Sequence, residues 1–188
     1  MVNRVTMPHD ESGGEVLDVS TIFRRYGHDI ARWATRLGGP LVDADDVVQE
    51  VLTVVHRRIR DFRPDAQVTT WLYKITQNIA TSRRRRERFR RWLCGHPADY
   101  ASNLPARGPS AVEVMEQREA AAEVYAALDM LDEKYRSVVI LFEIEGLSGE
   151  EIASLTGTPL ATVWIRLRRG RQRFRLQYEA LLRKREVL

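Results

Sequence analysis

The C-terminal quarter of the chain constrains the fold more than any other part. Ser148, followed three residues later by Glu151, fits a capping box at the start of a short helix. Gly157 suits a tight turn that needs a positive φ. Thr158 as N-cap and Pro159 as first helical residue fit the start of a second, longer and basic helix. A short helix, a glycine-containing turn and a longer basic helix predict a helix-turn-helix.

Apolar residues recur at spacings of three and four along most of the preceding chain, as they do on the buried face of an amphipathic helix. The first helix is predicted from about Ser20, and its buried face comprises Ile22, Phe23, Tyr26, Ile30, Trp33, Ala34 and Leu37. Asp43 fits the N-cap of a second helix, and a third helix is predicted to begin just before Trp71. Further helices are predicted from Ala111 and across residues 132–146, and no segment predicts a strand.

Polar segments separate these helices into two groups. Residues 1–19 are polar and contain a Gly-Gly pair, which predicts a mobile tail. Residues 92–112 contain three prolines and two glycines without an apolar period, which predicts a flexible linker. We therefore expect an all-α fold with two small helical domains, 20–91 and 113–188, of which the second holds the helix-turn-helix.

Arginine is concentrated in two blocks. Residues 82–91 carry seven Arg and one Glu, and residues 166–175 carry six Arg and no acid. The stretch between them, 113–151, holds 11 acids and three bases. Since the formal net charge of the whole chain is only +4, it is the clustering that predicts two phosphate-binding surfaces on two units.

Several classes of protein are not expected. The single cysteine, Cys94, cannot support a disulfide framework or a cysteine-cluster zinc site and is expected to be a free thiol. The four histidines form no helical pair for a metal. No run of 18 apolar residues predicts a transmembrane helix, and the N-terminus lacks the apolar region of a secretory signal. We therefore expect a cytoplasmic protein with no metal and no other cofactor.

Three surfaces are candidates for function, and each also has a purely structural interpretation. The second helix of the helix-turn-helix can present base-reading side chains to the major groove, or it can belong to an ordinary helical hairpin. Trp71 and Tyr73, beside the first Arg block, suit stacking on unpaired bases or a place in the core. The acidic cluster suits a metal, a partner surface or a solvated helix face. It consists of Asp45, Asp46, Gln49 and Glu50.

Four motifs follow one another in the order found in one protein family. DADDVVQEV at 43–51 is similar to the family's acidic stretch, and WLYKITQN at 71–78 is similar to its Trp-Leu-aromatic-basic-Ile-x-x-Asn. RRRRER at 83–88 lies where the family has a basic helix end. LSGEEIASLTGTPLATVWIRLRRGRQRFR at 147–175 matches its last helix-turn-helix. Together they resemble bacterial RNA polymerase sigma factors of the extracytoplasmic-function (ECF) group, which have a region-two domain, a variable linker and a region-four domain.

The resemblance implies a transcription initiation factor and not an enzyme. Such a factor binds core RNA polymerase, directs it to promoters by reading the −10 and −35 elements, and assists DNA opening. The implied partners are the clamp helices of the largest polymerase subunit, the flap region, promoter DNA and an anti-sigma factor. No small-molecule substrate is implied, and a membrane is implied only indirectly, through the anti-sigma factor.

The resemblance also assigns roles to individual residues. The polymerase-binding residues are Asp45, Asp46, Gln49 and Glu50. The residues near the −10 element are Phe62, Arg63, Trp71, Asn78, Arg83, Arg84, Arg85 and Arg86. The residues at the −35 element are Thr162, Trp164, Ile165, Arg166, Arg168, Arg169 and Arg171. The geometry of a helix-turn-helix, apart from the resemblance, also predicts that Val163 is presented to base edges. The family usually has a basic and a small polar residue where this chain has Trp164 and Ile165, whose apolar side chains can contact thymine methyls or a protein surface.

Three other functions stay open on the residues alone. A stand-alone helix-turn-helix regulator would use residues 111–183 and leave the acidic cluster without a role. An enzyme would use Asp45, Asp46 and Glu50 with a metal. A helical interaction module would have no role on DNA.

Overall fold

The structure, a computed structural model, describes residues 18–62, 67–94 and 111–186, and for 111–118 and 185–186 it describes the backbone alone. The helices are α1 (Val19–Gly38), α2 (Ala44–Arg58), α3 (Val68–Leu93), α4 (Ala111–Leu128), α5 (Glu133–Val139), α6 (Gly149–Thr156) and α7 (Leu160–Glu186). A 3-10 turn, Ile59–Asp61, follows α2, and a π-helical turn, Ile140–Ile144, follows α5. These ranges contain no strand, so the predicted all-α fold is confirmed. None of their helices is long and apolar enough to cross a bilayer.

Helix α1 begins slightly earlier than predicted, because Asp18 caps it. The Asp18 side chain accepts a hydrogen bond from the Thr21 amide at 2.7 Å, and this bond lowers the pKa of the Asp18 carboxyl below its ordinary value. Six of the seven residues predicted for its buried face are buried. The prediction for Phe23 is wrong, since its side chain is 55% exposed. Phe23 follows Ile22 directly and is therefore rotated about 100° away from the buried face.

The first domain is a three-helix unit in which α1, α2 and α3 pack against one another. Its centre is an aromatic pair, with the Trp33 and Tyr73 rings edge to face at a centroid distance of 5.4 Å. Both rings are almost completely buried, so Tyr73 is a core residue. Trp71 lies on the partly buried margin of this core, and the centroid of its ring is 5.0 Å from that of the Phe62 ring.

The second domain contains the predicted helix-turn-helix. The capping box is present, because Ser148 N donates to Glu151 at 2.7 Å and Glu151 N donates to the Ser148 hydroxyl at 3.2 Å. Gly157 adopts the left-handed conformation at φ 62° and makes the turn. Helix α7 begins one residue later than predicted, since its first i to i+4 bond runs from Val163 N to Pro159 O at 3.1 Å.

The segment boundaries differ from the predicted ones by a few residues. Helix α3 continues to Leu93, two residues into the predicted linker. The predicted tail lies outside the described residues up to position 17, and so does the linker from 95 to 110.

The helices of both domains share one continuous apolar core, a feature that the sequence does not predict. The Thr70 hydroxyl of α3 donates to the Ser154 carbonyl of α6 at 2.8 Å. A Cβ placed on Gly39, at the end of α1, would lie 2.8 Å from the Tyr125 ring of α4. Only glycine therefore allows the second domain to approach the first so closely at this point.

Candidate polymerase and nucleic-acid surfaces

The acidic cluster occupies the first two turns of α2. Asp43 caps this helix by accepting a hydrogen bond from the Asp45 amide at 2.9 Å. Asp45, Asp46 and Gln49 are exposed, and Glu50 is half-buried. The helix dipole favours carboxylates at this end of the helix.

Arg83 of α3 reaches across to the acidic cluster. Its guanidinium pairs with Asp46 and with Glu50, each at 2.8 Å. The pKa of Arg83 is raised, mainly because Glu50 accepts a hydrogen bond from its guanidinium. A guanidinium between the two carboxylates takes the place that a metal would need, and the described residues contain no group of three or more His, Cys, Asp or Glu able to hold a metal. This geometry favours a polar partner surface over a metal site.

One face of α3 carries the predicted −10 residues that are exposed. Asn78, Arg85 and Arg86 are separated by seven and eight residues, which is two helical turns, and all three side chains are exposed. Lys74 lies one turn before Asn78 on the same face of α3. Its spacing of four residues from Asn78 is the sequence signal that would have identified it as part of this surface. The predicted Arg63 lies outside the described residues.

Arg84 points to the opposite side of α3, which corrects its predicted place beside DNA. Its side chain is 5% exposed. Its guanidinium donates to the Leu37 carbonyl at 3.0 Å and pairs with Asp129 at 3.2 Å and with Glu133 at 2.5 Å. In this conformation Arg84 belongs to the contact between the domains and is closed to nucleic acid.

The recognition helix α7 presents most of its predicted residues to solvent. Ile165, Arg168 and Arg169 are exposed, and Thr162 is half-buried. Val163 is buried against the rest of the helix-turn-helix, so its predicted display to base edges is wrong. Its position reflects helix geometry, because Val163 and Leu167 are one turn apart on the inner face of α7.

Trp164 contacts protein along one side of its ring and solvent along the other. The ring lies edge to face with Phe142 at a centroid distance of 5.8 Å. A Cβ on Gly149 would lie 2.6 Å from this ring. Trp164 is nevertheless 43% exposed. It therefore supports the approach of α6 to α7 while one edge stays available to DNA or a partner.

Several arginines of α7 also bond within the second domain, among them Arg169 and Arg171. Arg171 pairs with Glu143 at 2.6 Å, and its guanidinium lies over the Phe142 ring. Arg169 donates a hydrogen bond to the Tyr135 hydroxyl, which lowers the pKa of that hydroxyl. These side chains are positioned by the protein before any DNA arrives.

The packing of the domains brings three of the predicted −10 residues and one predicted −35 residue, Arg166, together around a cleft of about 590 Å³. Its walls include Lys74, Asn78, Arg85 and Arg86 from α3 and Thr158 and Arg166 from the helix-turn-helix. Arg166 Nη1 lies 3.5 Å from the Thr158 hydroxyl. The cleft is lined mainly by cationic side chains and neutral donors, which suits phosphate-bearing chains.

Comparison with known families gives one match for each helical unit. Residues 22–90 match the family described as Sigma-70 region 2, and residues 121–174 match Sigma-70, region 4. Both matches lie within the helical units just described.

Curated proteins give the same assignment. The ECF RNA polymerase sigma factor SigE of Mycolicibacterium smegmatis is 37% identical over 82% of this chain, and this chain spans 59% of that protein's length. The ECF RNA polymerase sigma-E factor of Escherichia coli is 31% identical over 85% of this chain and 86% of its own length.

Solved structures show the same architecture. CnrH, solved in complex with the cytosolic domain of CnrY, has a TM-score of 0.55 at 25% identity and covers 86% of this chain and 88% of its own. The sigma factor RpoE of Bartonella quintana, solved with the anti-sigma factor NepR, has a TM-score of 0.57 at 23% identity. It covers 87% of this chain and 98% of its own.

The order of the helices, the capped helix-turn-helix and the two basic surfaces coincide with the regions matched in these comparisons. The chain therefore belongs to the ECF group of bacterial RNA polymerase sigma factors, which bind core polymerase and direct it to promoters.

Proposed function

We propose that the two predicted domains, 20–91 and 113–188, divide the work of initiation. The first would dock on the polymerase clamp helices through the acidic cluster (Asp45, Asp46, Gln49 and Glu50). It would hold the −10 element with Phe62, Arg63, Trp71, Asn78, Arg83, Arg85 and Arg86. The second would read the −35 element with Thr162, Trp164, Ile165, Arg166, Arg168, Arg169 and Arg171. The linker would run between them over the polymerase, and the second domain would meet the flap region.

One observation carries this assignment. Among the described residues, Arg85 and Arg86 on α3 and Arg168 and Arg169 on α7 are exposed and have no carboxylate within 4 Å, whereas Arg83 and Arg84 pair with acids. Exposed arginines without a carboxylate also lie elsewhere, at Arg57, Arg58, Arg60 and Arg183. An unpaired exposed guanidinium is available to a phosphate or a base edge. Both faces that the proposal places on DNA therefore carry cations that are available to it.

The proposed function does not require this chain to form or break a covalent bond. Capture of an unstacked base and reading of duplex base edges are binding events, so we propose that the protein is not an enzyme and acts in the cytoplasm, beside the polymerase. CnrH was solved with the cytosolic domain of a partner protein. We propose by analogy that an anti-sigma factor binds this chain over the surfaces that polymerase and DNA use.

The decisive experiment is transcription in vitro with purified protein, bacterial core polymerase and a genomic fragment library. We expect discrete start sites that require this protein, and alignment of their upstream sequences should give one −10 and one −35 element. Operator binding by the protein alone, with no new start sites from an active core, would instead support a stand-alone regulator.

Loss of the acidic cluster should weaken polymerase binding while the domain stays folded. We expect Asp46→Ala with Gln49→Ala to raise the Kd for core polymerase by roughly 10-fold, in the range of charged interface contacts. Folding should persist, because exposed ion pairs such as Asp46–Arg83 contribute only about 0–1 kcal/mol. The measurement is a fluorescence titration with labelled protein and core polymerase.

The matched control is Asp61→Ala, which removes one exposed carboxylate from the turn at the other end of α2. It should leave the Kd unchanged. An equal loss in both variants would indicate a general effect of charge and would remove the docking role from the acidic cluster.

A further inference from the structure

The cleft of about 590 Å³ has a cationic side chain on each of its three walls. Helix α3 forms the first wall, α5 forms the second, and the helix-turn-helix forms the third. Its volume falls within the range of about 300–1,000 Å³ that is usual for small-molecule sites. The cations that line it are Lys74, Arg85, Arg86, Lys134 and Arg166.

These cations have almost no acidic counterpart. Within the ranges that the structure describes, no carboxylate lies within 4 Å of any of them. Glu133 is the one carboxylate among the described lining residues, and it pairs with the buried Arg84 at 2.5 Å. The cleft therefore carries an excess of positive charge, and a concave surface of one sign concentrates small ions of the opposite sign.

Two polar groups of the lining have no partner among the described residues. Thr81 is only 9% exposed, and its hydroxyl is buried without a hydrogen bond. The Oε1 atom of Glu133 is also buried without a donor. A buried polar group that lacks a partner is costly, so such groups are usually satisfied by something bound. The Thr81 hydroxyl can donate to a phosphate oxygen, whereas the Glu133 carboxylate can only accept, from a hydroxyl or an amine.

The lining therefore defines a ligand with two chemical parts. Guanidinium groups bind phosphate oxygens in bidentate fashion, and several of them around one cleft suit a chain of phosphates. Glu133 requires a donor, which an ionised inorganic polyphosphate lacks and the hydroxyls of a ribose supply. The described lining residues include no aromatic side chain, so a base would find no ring on which to stack.

We propose that this cleft binds a nucleoside polyphosphate, with its phosphates between Arg86 of the first domain and Arg166 of the second and a ribose hydroxyl on Glu133. The binding itself does not depend on the proposed function, but its consequence rests on it. Arg85, Arg86 and Arg166 are the side chains proposed to hold DNA, and a guanidinium occupied by a nucleotide phosphate is closed to a DNA phosphate. The nucleotide therefore competes with promoter DNA for these side chains.

The test is isothermal titration calorimetry on the full chain, at physiological ionic strength and with EDTA present. Polymerase is left out, because nucleoside triphosphates are also its substrates. We expect adenosine and guanosine triphosphate to bind with equal affinity, since nothing stacks on the base. Dideoxyadenosine triphosphate, which lacks both ribose hydroxyls, and inorganic tripolyphosphate should bind about 10-fold more weakly, in the range of one hydrogen bond to a charged group.

Two variants test the protein side of the contact. Thr81→Val keeps the shape of the side chain and removes only the unpartnered hydroxyl, so folding should be at least as stable as in the wild type. The Kd for adenosine triphosphate should nevertheless rise about 10-fold, because a hydrogen bond to a phosphate is lost. Arg86→Ala with Arg166→Ala removes one cation from each of two walls and should raise the Kd by roughly 100-fold.

The matched control is Arg57→Ala with Arg58→Ala. It makes the same change of net charge with two exposed arginines of α2 that do not line the cleft. Charges outside the site are screened by salt over about 8 Å, so the Kd should stay within about 2-fold of the wild-type value.

The proposal is overturned if adenosine triphosphate does not bind, if the two double variants bind it equally, or if Thr81→Val leaves the Kd unchanged. The last two results would mean that diffuse surface charge holds the anion. Equal binding of tripolyphosphate or of the dideoxy nucleotide would also overturn it, because the ribose would then make no contact. Failure of the proposed function gives a different pattern, in which the nucleotide binds and depends on Thr81 but the protein supports no core-dependent start sites.

Discussion

Replacement of Trp33 by alanine is expected to lower the free energy of unfolding by about 3–5 kcal/mol, the usual cost of removing a large aromatic side chain from a core. Trp33 is 1% exposed and lies edge to face with the buried Tyr73 ring. The substitution removes the contact between α1 and α3 and leaves a cavity at the centre of the first domain. Since a domain of this size is stable by only about 5–15 kcal/mol, this loss is a large fraction of its stability and should lower the denaturation midpoint markedly.

The measurement is urea denaturation followed by far-ultraviolet circular dichroism, with Trp92→Ala as the matched control. Trp92 is the same residue type on α3, but its side chain is 75% exposed. Its removal should change stability by no more than about 0.5 kcal/mol. Equal losses in the two variants would show that the Trp33–Tyr73 pair is not the centre of the core.

Local patterns in the sequence predicted the helices well because each depends on neighbouring residues. The capping box at Ser148 and the turn at Gly157 are decided within a few residues, and both are present. Phe23 shows the limit of apolar spacing. Phe23 is apolar and fits the spacing of three and four to other apolar residues. Its angular position next to Ile22 nevertheless places it off the buried face.

The run Arg83–Arg86 shows a second limit. Four consecutive residues of an α-helix point around its whole circumference, so one of them must face whatever packs on the inner side. The spacing of Arg84 indicates its inward position, because Thr76 and Ala80 precede it on the same face of α3 at intervals of four residues. Both of these residues are buried. Its partners Asp129 and Glu133 lie more than 40 residues away, and no local pattern predicts such a contact.

The same reasoning explains why the packing of the two domains against each other was not predicted. The sequence indicated two domains and a linker, and these elements are equally compatible with separated or packed domains. The contacts that pack them join residues more than 40 positions apart, and Thr70 and Ser154 are 84 positions apart. Their formation depends on the balance of desolvation and ion pairing across the whole interface, which composition does not reveal.

Arg166→Ala is expected to reduce promoter-specific transcription by roughly 5- to 150-fold, which corresponds to about 1–3 kcal/mol for one base-reading arginine. Arg166 lies in the second turn of α7, where a recognition helix meets base edges. The measurement is run-off transcription on the cognate promoter and on a set with single changes in the −35 element. Loss of a base contact should flatten the preference at one position of that element and leave the others intact.

The matched control is Arg183→Ala on the same helix; the Arg183 side chain is exposed, whereas that of Arg166 is half-buried. Seventeen residues of α-helix separate the two, about 25 Å at 1.5 Å per residue, so Arg183 cannot reach the same bases. Its loss should leave the preference unchanged. A uniform weakening on every promoter by Arg166→Ala, with a shallower salt dependence, would instead make Arg166 a phosphate contact. Base reading would then belong to Ile165 and Arg169, the exposed residues beside it and one turn further along α7.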